Sequence, residues 1–437
     1  MDSPASSRQA SSPPTPTTEC EQLLTEAVES RASTPDTEKD VLFSSESLAV
    51  DDNEYILVTG GLGFIGSHTS LELLKAGYNV VIVDDLSNSF RDVFGRIQAI
   101  AKQYHDSTGS QCPNIKLWDF DYRNLPAMRA LLTSHMGAWR SNIVGVIHFA
   151  AFKAVEESIR QPLKYYRNNI NGLVDFLGLL EEFSIKTFIF SSSATVYGTL
   201  ADRGEPLQEE HCVHKPESFR HSDGRVISTE QGCTGLTNPY GRTKFFGEAI
   251  LADVAASDPT WSITALRYFN PIGCDESGLL GEDPKGTPSN LVPVVVKVMT
   301  GQWKELSIFG DDWETPDGTA VRDFIHVTDL AKGHIAALKK HHAPSALRIF
   351  NLGTGSGCSV SQIVSTMEQV SQMPVPRKVV GRRAGDVGSC VAVADRAERE
   401  LGWRTEKSLR DACRDICNFL KVHEPRHSAA LQSVGSW

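Results

Sequence analysis

The sequence predicts an α/β fold, with a Rossmann-type doubly wound parallel sheet and a smaller C-terminal α/β substrate-binding lobe. Three observations lead to this prediction. From Tyr55 onward, short apolar runs alternate with helical segments; a glycine cluster directly follows the first run; and beyond Asn270 the chain becomes rich in Gly, Pro and Asp. Alternation of this kind is typical of a parallel sheet covered by helices.

Five short runs are the predicted strands of the sheet. Each is apolar throughout, as expected for a strand that is buried on both faces. They are Tyr55–Val58, Val80–Val83, Val144–Phe149, Phe188–Phe190 and Ile263–Leu266. A further apolar stretch, Leu291–Met299, interrupts the loop-rich region that follows. We therefore expect residues 53–270 to form the Rossmann domain and residues 271–437 to form mainly the second lobe.

Residues 1–52 form a distinct segment. They contain eleven acidic and three basic side chains and are rich in Ser, Thr and Pro. Because such a segment lacks the apolar content to join a core, we expect a disordered tail whose removal leaves folding and activity unchanged. The tail holds most of the net charge of −11, so the remainder of the 437-residue chain is close to neutral.

Composition excludes several classes of protein. A near-neutral body without a Lys/Arg run argues against nucleic acid as a partner. No stretch approaches the roughly 18 apolar residues that span a bilayer, which excludes an integral membrane protein. The nine cysteines are scattered without a Cys-x-x-Cys pair, and the N-terminus lacks the pattern of a secretory signal. We therefore expect reduced thiols and a cytoplasmic location.

Residues 199–237 are a polar insertion without clear periodicity. The residues of this segment that could ligate zinc are Glu210, His211, Cys212, His214 and Cys233. Their spacing matches no standard zinc site, so we expect a solvated insertion and no metal.

The glycine cluster after the first strand predicts a dinucleotide site. Gly60, Gly63 and Gly66 can supply a tight turn, a close approach of backbone N–H groups to a pyrophosphate, and close packing of helix against strand. The second strand ends in Asp84 and Asp85. A carboxylate at this position accepts hydrogen bonds from the adenosine ribose hydroxyls and repels a 2′-phosphate. The predicted cofactor is therefore NAD rather than NADP.

Three polar residues predict the reacting centre. Ser193 follows a strand, at the edge where open α/β sheets bind ligands, and Tyr240 and Lys244 lie four residues apart on one helix face. A phenol with a pKa of about 10 serves as a base at neutral pH only beside positive charge. Lys244 and an oxidised nicotinamide ring provide that charge. Together the three residues predict a site that oxidises an alcohol.

Six motifs carry a resemblance that extends from Tyr55 to about Phe419. The motifs are Val58–His68, His148–Val155, Ser191–Gly198, Leu266–Pro271, Val321–Val327 and Arg382–Asp386. In them the chain resembles the UDP-glucose 4-epimerase family of the extended short-chain dehydrogenase/reductase superfamily. The resemblance implies interconversion of UDP-glucose and UDP-galactose through a 4-keto sugar, with NAD held throughout turnover, and usually a homodimer. The insertion at 199–237 departs from the family pattern, in which this connection is shorter.

The resemblance also implies roles for individual residues. Catalysis would fall on Ser193, Tyr240 and Lys244. The positions that would contact the cofactor are Gly60, Gly63, Phe64, Ile65, Asp84, Asp85, Leu86, Ser87, Asn88, Ser89, Asp121, Tyr122, Phe149, Ala150, Ala151, Phe152, Lys153, Asn169, Ser193, Tyr240, Lys244 and Phe269. The positions that would contact the UDP-hexose are Ser193, Tyr240, Asn270, Asn290, Leu291, Phe309, Arg322, Arg383, Asp386 and Cys390. Family members have either a bulky Tyr or a small residue where this chain has Cys390, and a small residue implies activity on UDP-GlcNAc and UDP-GalNAc as well.

Other reactions occur on the same scaffold. Dehydratases of the superfamily have an Asp-Glu pair after the strand end, where this chain has Ala194 and Thr195, so no carboxyl group stands there to eliminate water. An NAD-dependent nucleotide-sugar dehydrogenase and a non-catalytic NAD-binding sensor remain as alternatives. Retention of NAD by the purified protein separates an epimerase from a dehydrogenase, and an assay of sugar interconversion separates it from a sensor.

Overall fold

The structure, a computed structural model, describes residues 53–220, 223–229, 232, 235–339, 347–383 and 385–423. The predicted tail at 1–52 and the zinc candidate Cys233 lie outside these residues. Within the described part of the chain, every helix is too short or too polar to cross a membrane.

Strands and helices alternate along the chain. The strands are β1 Tyr55–Thr59, β2 Asn79–Asp84, β3 Ile115–Asp119, β4 Ile143–His148, β5 Thr187–Ser193, β6 Glu217–Arg220, β7 Val226–Thr229, β8 Ser262–Tyr268, β9 Asn270–Ile272, β10 Leu306–Phe309, β11 Val321–His326, β12 Arg348–Leu352, β13 Gly357–Ser359, β14 Arg377–Val380 and β15 Ser389–Cys390. The α-helices are α1 Phe64–Lys75, α2 Asp92–Thr108, α3 Leu125–Ser134, α4 Val155–Arg160, α5 Pro162–Tyr166, α6 Gly172–Glu182, α7 Pro239–Ser257, α8 Leu291–Met299, α9 Val327–Lys339, α10 Val360–Ser371, α11 Asp395–Leu401 and α12 Leu409–Val422. A π-helical turn spans Arg167–Asn171, and 3₁₀ helices span Ala194–Arg203 and Glu209–His211.

Seven parallel strands form the central sheet, in the order β12-β8-β5-β4-β1-β2-β3. The predicted Rossmann-type sheet is confirmed, and all five predicted strands belong to it. The prediction missed β3 and β12, which are the two edge strands. β3 is half-buried and carries Lys116, and β12 carries Arg348 and Asn351, so neither is an uninterrupted apolar run. Because the strand order reverses between β1 and β4, a crevice opens there at the carboxyl edge.

Helices cover both faces of the sheet. One apolar layer includes Leu71 and Leu74 of α1 and Leu330 of α9. The opposite layer includes Phe176 of α6 and Leu251 of α7. Full burial of one such side chain contributes about 1.5–3 kcal/mol. The two layers therefore hold α1 and α7, which carry the candidate site, firmly against the strand ends.

A smaller lobe follows the sheet, as predicted. It contains β9, β11, β13 and β15 in one sheet and the parallel pair β10 and β14. Its own apolar core includes Val295 of α8, Ile363 of α10 and Ile416 of α12. The apolar stretch at 291–299 is helix α8. This region of the chain also supplies β12 to the large sheet, and the exact domain boundary near 270 stays a prediction.

The polar insertion is not solvated throughout, which corrects the sequence expectation. The Leu207 backbone N–H donates to the Val391 carbonyl at 2.8 Å, and Leu207, Cys212 and Val213 are buried. The hairpin formed by β6 and β7 is mostly exposed. A few apolar residues among polar neighbours give no periodic signal, so the sequence does not predict the burial of Leu207, Cys212 and Val213.

Adding a methyl group at Gly66 tests how closely the glycine turn is packed. A Cβ on Gly66 would lie 2.1 Å from the Gly60 carbonyl oxygen, so we expect Gly66→Ala to destabilise the protein by about 1–3 kcal/mol and to release NAD. Gly95→Ala in α2 is the matched control, because a Cβ there meets no described atom within 4 Å. Denaturant unfolding and the content of bound nucleotide measure both effects. Equal behaviour of the two variants would contradict the expected close packing.

Candidate active site

The glycine turn after β1 has the shape of a phosphate cradle. Gly60 has a φ of +70°, and a Cβ there would lie 2.9 Å from the Ala150 amide nitrogen, so glycine is required. Gly63, which has no side chain to cap the helix, precedes α1, where Phe64 and Ile65 are half-buried. Among the described residues, the Gly60 carbonyl oxygen, at 3.4 Å, is the one atom that a Cβ on Gly63 would meet within 4 Å. The open, positive end of α1 therefore fits the pyrophosphate of NAD.

Asp84, at the end of β2, organises the neighbouring loop. Its carboxylate accepts hydrogen bonds from the backbone N–H groups of Leu62 at 2.9 Å and Leu86 at 3.0 Å, and from the Ser89 hydroxyl at 2.7 Å. Burial raises the pKa of Asp84, and these hydrogen bonds oppose that shift. A carboxylate accepts about four hydrogen bonds, so one position remains for a ribose hydroxyl. Asp85, in contrast, is exposed.

The segment after β4 lies beside the glycine turn. The backbone N–H groups of Phe149 and Ala150 donate to the Thr59 carbonyl at 2.9 and 3.1 Å. Asn169 pairs with the main chain of Phe152 through two hydrogen bonds of 3.0 Å. The structure thus brings this predicted cofactor segment, which includes Ala151, next to the phosphate cradle.

Three other predicted cofactor residues are held by contacts within the protein. Tyr122 is buried and donates to a backbone carbonyl at 2.5 Å. The Asp121 carboxylate receives the Arg123 Nε at 3.0 Å from each oxygen. Lys153 is exposed, with its Nζ 3.5 Å from Glu282 Oε1. Lys153 therefore lies at the boundary between the large sheet and the smaller lobe.

The loop after β2 also contacts the segment that precedes α8. Lys285 Nζ donates to the Leu86 carbonyl at 2.5 Å, and its backbone N–H donates to Asn88 Oδ1 at 3.2 Å. Ser87 and Asn88 are exposed, whereas Ser89 is buried. The predicted cofactor residues of this loop are therefore fixed from both parts of the fold.

Ser193 is the last residue of β5. Its Oγ accepts hydrogen bonds from the Thr195 backbone N–H at 3.2 Å and from the Thr195 hydroxyl at 3.0 Å. Because a hydroxyl has two lone pairs and one proton, both acceptor positions are used and the Ser193 proton is left to donate. That proton is available to a ligand at the end of β5.

Tyr240 lies in the first turn of α7. The N-cap residue Asn238 accepts the Gly241 backbone N–H at 2.8 Å, and the Tyr240 backbone N–H donates to the Ser158 hydroxyl at 3.1 Å. Burial raises the pKa of the Tyr240 phenol to about 12, and the Ser193 hydroxyl opposes the shift. The phenol therefore keeps its proton at neutral pH until positive charge is added beside it.

Lys244 lies one turn further along α7. Its Nζ donates to the Ser191 carbonyl and, at 3.1 Å, to the Ser191 hydroxyl. Nζ lies 5.9 Å from the centroid of the Tyr240 ring. Burial lowers the pKa of Lys244 to about 7, against the opposing influence of the Glu248 carboxylate. In its protonated form the lysine supplies the positive charge that a Tyr240 phenolate needs.

Two arginines of the smaller lobe converge on one carboxylate. Arg322 Nη2 lies 3.4 Å from Asp386 Oδ1, and Arg383 Nη2 and Nε lie 3.0 and 3.2 Å from the two Asp386 oxygens. The Arg383 guanidinium carbon also lies 5.3 Å from the centroid of the Phe309 ring. Partly exposed ion pairs contribute little net stability, so these guanidinium groups can exchange Asp386 for a ligand. Their planar N–H groups match a diphosphate.

Cys390 joins the two halves of the predicted substrate site. It pairs in register with Arg322 between β15 and β11. It also packs against the apolar cluster that contains Ala194 and Phe269. Ala194 directly follows Ser193 in the chain. Burial raises the pKa of the Cys390 thiol to about 11, so this wall of the site is uncharged at neutral pH.

The remaining predicted substrate residues lie at the start of β9 and α8. Asn270 begins β9, and Leu291 is the half-buried first residue of α8. Asn290 is the exposed N-cap of α8, with its Nδ2 3.4 Å from Glu282 Oε1. Because Glu282 also pairs with Lys153, it links predicted substrate and cofactor positions, and sequence reasoning missed it.

Sequence reasoning also missed a buried ion pair behind the site. Glu248 lies on the same face of α7 as Tyr240 and Lys244, and Arg267 of β8 donates to its two oxygens at 3.0 and 2.8 Å. The available signal was spacing: Glu248 follows Lys244 by four residues. A carboxylate on an inward helix face requires a charged partner.

Comparison with known proteins agrees with this geometry. The family model described as NAD dependent epimerase/dehydratase family matches residues 56–353. The UDP-glucose 4-epimerase of Dictyostelium discoideum is 46% identical over 87% of this chain and 98% of its own length. The human UDP-glucose 4-epimerase is 43% identical over 84% of this chain and 97% of its own length. A crystal structure of UDP-glucose 4-epimerase from Bifidobacterium longum in complex with NAD+ and UDP is 42% identical, with a TM-score of 0.72 over 85% of this chain and 99% of that one.

The family model covers well over half of the chain, and the two relatives match it along almost their whole lengths. This chain therefore belongs to the NAD dependent epimerase/dehydratase family.

Proposed function

We propose that this chain is an isomerase of galactose metabolism, which interconverts UDP-glucose and UDP-galactose as an NAD-dependent 4-epimerase. The observation that carries the proposal is the placement of Tyr240 and Lys244 on one face of α7, which Lys244 holds against the end of β5 through Ser191, next to Ser193. Lys244 Nζ lies 5.9 Å from the centroid of the Tyr240 ring. This arrangement lies at the carboxyl edge of a sheet whose first turn fits NAD. Similarity to an epimerase crystallised with NAD+ and UDP supports both the cofactor and the class of substrate.

The side chains of the protein handle the proton and the orientation of the sugar. NAD, when bound, supplies reversible hydride transfer at C4 of the hexose. Tyr240, as the phenolate, removes the proton of the 4-hydroxyl, and Ser193 donates its free hydrogen bond to the C4 oxygen. The Lys244 ammonium stabilises the phenolate. After the 4-keto sugar turns to present its other face, Tyr240 returns the proton to the C4 oxygen while the hydride comes back to C4. Because the hydride that was removed is given back, the net redox change is zero.

The UDP moiety is the anchor that leaves the hexose free to turn. Arg322 and Arg383 bind the diphosphate through their planar N–H groups. Asp386, released from the arginines, accepts a ribose hydroxyl, and Phe309 offers an aromatic face beside Arg383. Because the binding energy is concentrated away from the hexose, both faces of the keto sugar can reach the same reacting groups.

Other reactions have less support. The two positions after Ser193 hold buried Ala194 and Thr195, whose hydroxyl donates to Ser193 at 3.0 Å. No carboxyl group therefore stands at these positions to eliminate water. A sensor without catalytic activity would have no need of Ser193, Tyr240 and Lys244 together at one edge of the sheet.

A reduced, cytoplasmic and dimeric protein is part of the proposal. None of the cysteines in the described part of the chain forms a disulfide, which supports a reducing compartment. Exposed apolar side chains on α4 to α7 support a homodimer through this surface; they are Ile159, Leu163, Val174 and Phe246. The Tyr166 ring lies 6.3 Å from that of Phe246, so the helices that carry these side chains are neighbours.

Replacing Tyr240 with Phe tests the proposed base. We expect epimerisation to fall by far more than about tenfold, a loss of at least ~1.4 kcal/mol of transition-state stabilisation. Bound NAD should stay, because the phosphate cradle is untouched. The measurement is UDP-galactose turnover without added NAD, together with the nucleotide content of the purified protein. Tyr104→Phe, at an exposed tyrosine of α2, should be fully active. If Tyr240→Phe keeps more than a tenth of the activity, the base is another group.

Cys390 supports a second pair of substrates, UDP-GlcNAc and UDP-GalNAc. A thiol in place of a phenol leaves volume beside C2 of the sugar for an acetamido group, which cannot overlap a packed aromatic ring. We expect Cys390→Tyr to remove turnover of the acetamido sugars and to spare UDP-galactose, whereas Cys390→Ala should retain both. Assays of both substrate pairs check this, and equal loss of the two activities would contradict it.

The proposed dimer surface can be tested by charge. Leu163 is 68% exposed, so Leu163→Glu should leave the monomer folded and convert the particle from two chains to one in light scattering. Trp139→Glu is the matched control, because Trp139 is 98% exposed and lies between α3 and β4, outside this surface. Dissociation caused by both variants, or by neither, would place the interface elsewhere.

A further inference from the structure

The polar insertion reaches helix α7 at one buried point. His214 Nε2 lies 2.7 Å from Glu248 Oε2, and the His214 ring lies 4.7 Å from the Phe245 ring. Phe245 directly follows Lys244, and Glu248 lies one turn beyond it. The insertion therefore contacts the helix of the reacting centre at two residues within the turn that follows Lys244.

The Glu248 carboxylate is fully buried, and all of its acceptor positions are used. Oε1 accepts the Ser192 hydroxyl and, at 3.0 Å, the Arg267 Nε; Oε2 accepts the Arg267 Nη2 at 2.8 Å and the His214 Nε2 at 2.7 Å. Although burial favours the neutral acid, the Arg267 charge and the His214 hydrogen bond lower the pKa of Glu248 to about 2. The carboxylate can therefore only accept, and His214 carries a proton on Nε2.

The cluster is a closed hydrogen-bond network rather than a cation site. Cys212, His214 and Glu248 offer ligand atoms within 4.8 Å of one another. Arg267 already donates to both Glu248 oxygens and, at 2.7 Å, to the Cys212 carbonyl. A metal ion beside this guanidinium would be repelled. Arg267 therefore supplies the positive charge that balances the buried Glu248 carboxylate.

Glu248 determines how α7 sits along the end of β5. Its partner Ser192 lies between Ser191, which binds the Lys244 ammonium, and Ser193, the proposed partner of the C4 oxygen. A small shift of α7 at Glu248 would therefore displace the Lys244 contact with Ser191 and, with it, the position of Tyr240 on the same helix. Misplacement of reacting groups by about 1 Å can lower a rate by two orders of magnitude.

We propose that His214 is a positioning residue for the epimerase reaction, through which the insertion holds Glu248 in place and keeps Lys244 in register with the end of β5. The proposal rests on the proposed function for its kinetic consequence. The contact belongs to the polar insertion at 199–237, so the proposal gives a buried part of that segment a role in turnover.

Three variants test the proposal. His214→Ala removes the donor, and we expect about a tenfold lower kcat for UDP-galactose with KM within about twofold, because the UDP anchor is unaffected. His214→Gln supplies an amide N–H to Glu248 and should restore most of kcat. Lys215→Ala is the matched control: Lys215 Nζ donates to the Ala252 carbonyl at 3.2 Å and lies 3.9 Å from Asp253, so it attaches the insertion to α7 away from Glu248. It should keep wild-type kcat.

A second measurement does not depend on turnover. Hydrogen exchange followed by mass spectrometry should be faster in peptides covering 191–195 and 240–248 for His214→Ala, and unchanged for His214→Gln and Lys215→Ala. The proposal fails if His214→Ala leaves exchange and kcat unchanged, if Gln does not rescue, or if Lys215→Ala matches His214→Ala. A wild-type protein that lacks epimerase activity would instead refute the proposed function, and exchange would still decide the role of His214.

Discussion

The arrangement of the site depends on the buried ion pair between Arg267 and Glu248. Both side chains are inaccessible to solvent, and removing each charge from water costs several kcal/mol. The cost is offset because Arg267 also donates to the Tyr197 hydroxyl at 3.0 Å and to the Glu209 and Cys212 carbonyls at 3.3 and 2.7 Å. One pair thus joins β8, α7, the serine strand and the insertion. A fully satisfied polar network of this kind permits few alternative geometries.

Burial acts against the charged forms of both reacting groups. It raises the pKa of Tyr240 to about 12 and lowers that of Lys244 to about 7. A positive charge at the nicotinamide position therefore adds to that of a protonated Lys244 in favouring the phenolate. The fraction of Tyr240 present as phenolate therefore depends on whether NAD occupies the dinucleotide site. The Gly60 turn sets the shape of that site.

Much of this site follows from local sequence. Strands buried on both faces, the glycine turn and the helical spacing of Tyr240 and Lys244 depend on neighbouring residues, so the sequence predicts them. Contacts between distant segments are different. Spacing puts Glu248 on the inward face of α7, but it cannot show that Arg267 faces it or that His214 arrives from the insertion. Edge strands such as β3 also escape prediction, because partial burial admits charged residues.

The seven-stranded sheet is completed by a strand from late in the chain. β12 pairs in parallel with β8, from Arg348 opposite Thr264 to Leu352 opposite Tyr268. During synthesis β8 therefore remains an open edge, with unpaired backbone groups, until about 80 further residues have left the ribosome. A nascent chain or a truncated product that stops before β12 would present that edge to other chains. Aggregation of such fragments is a hazard built into the order in which the sheet is assembled.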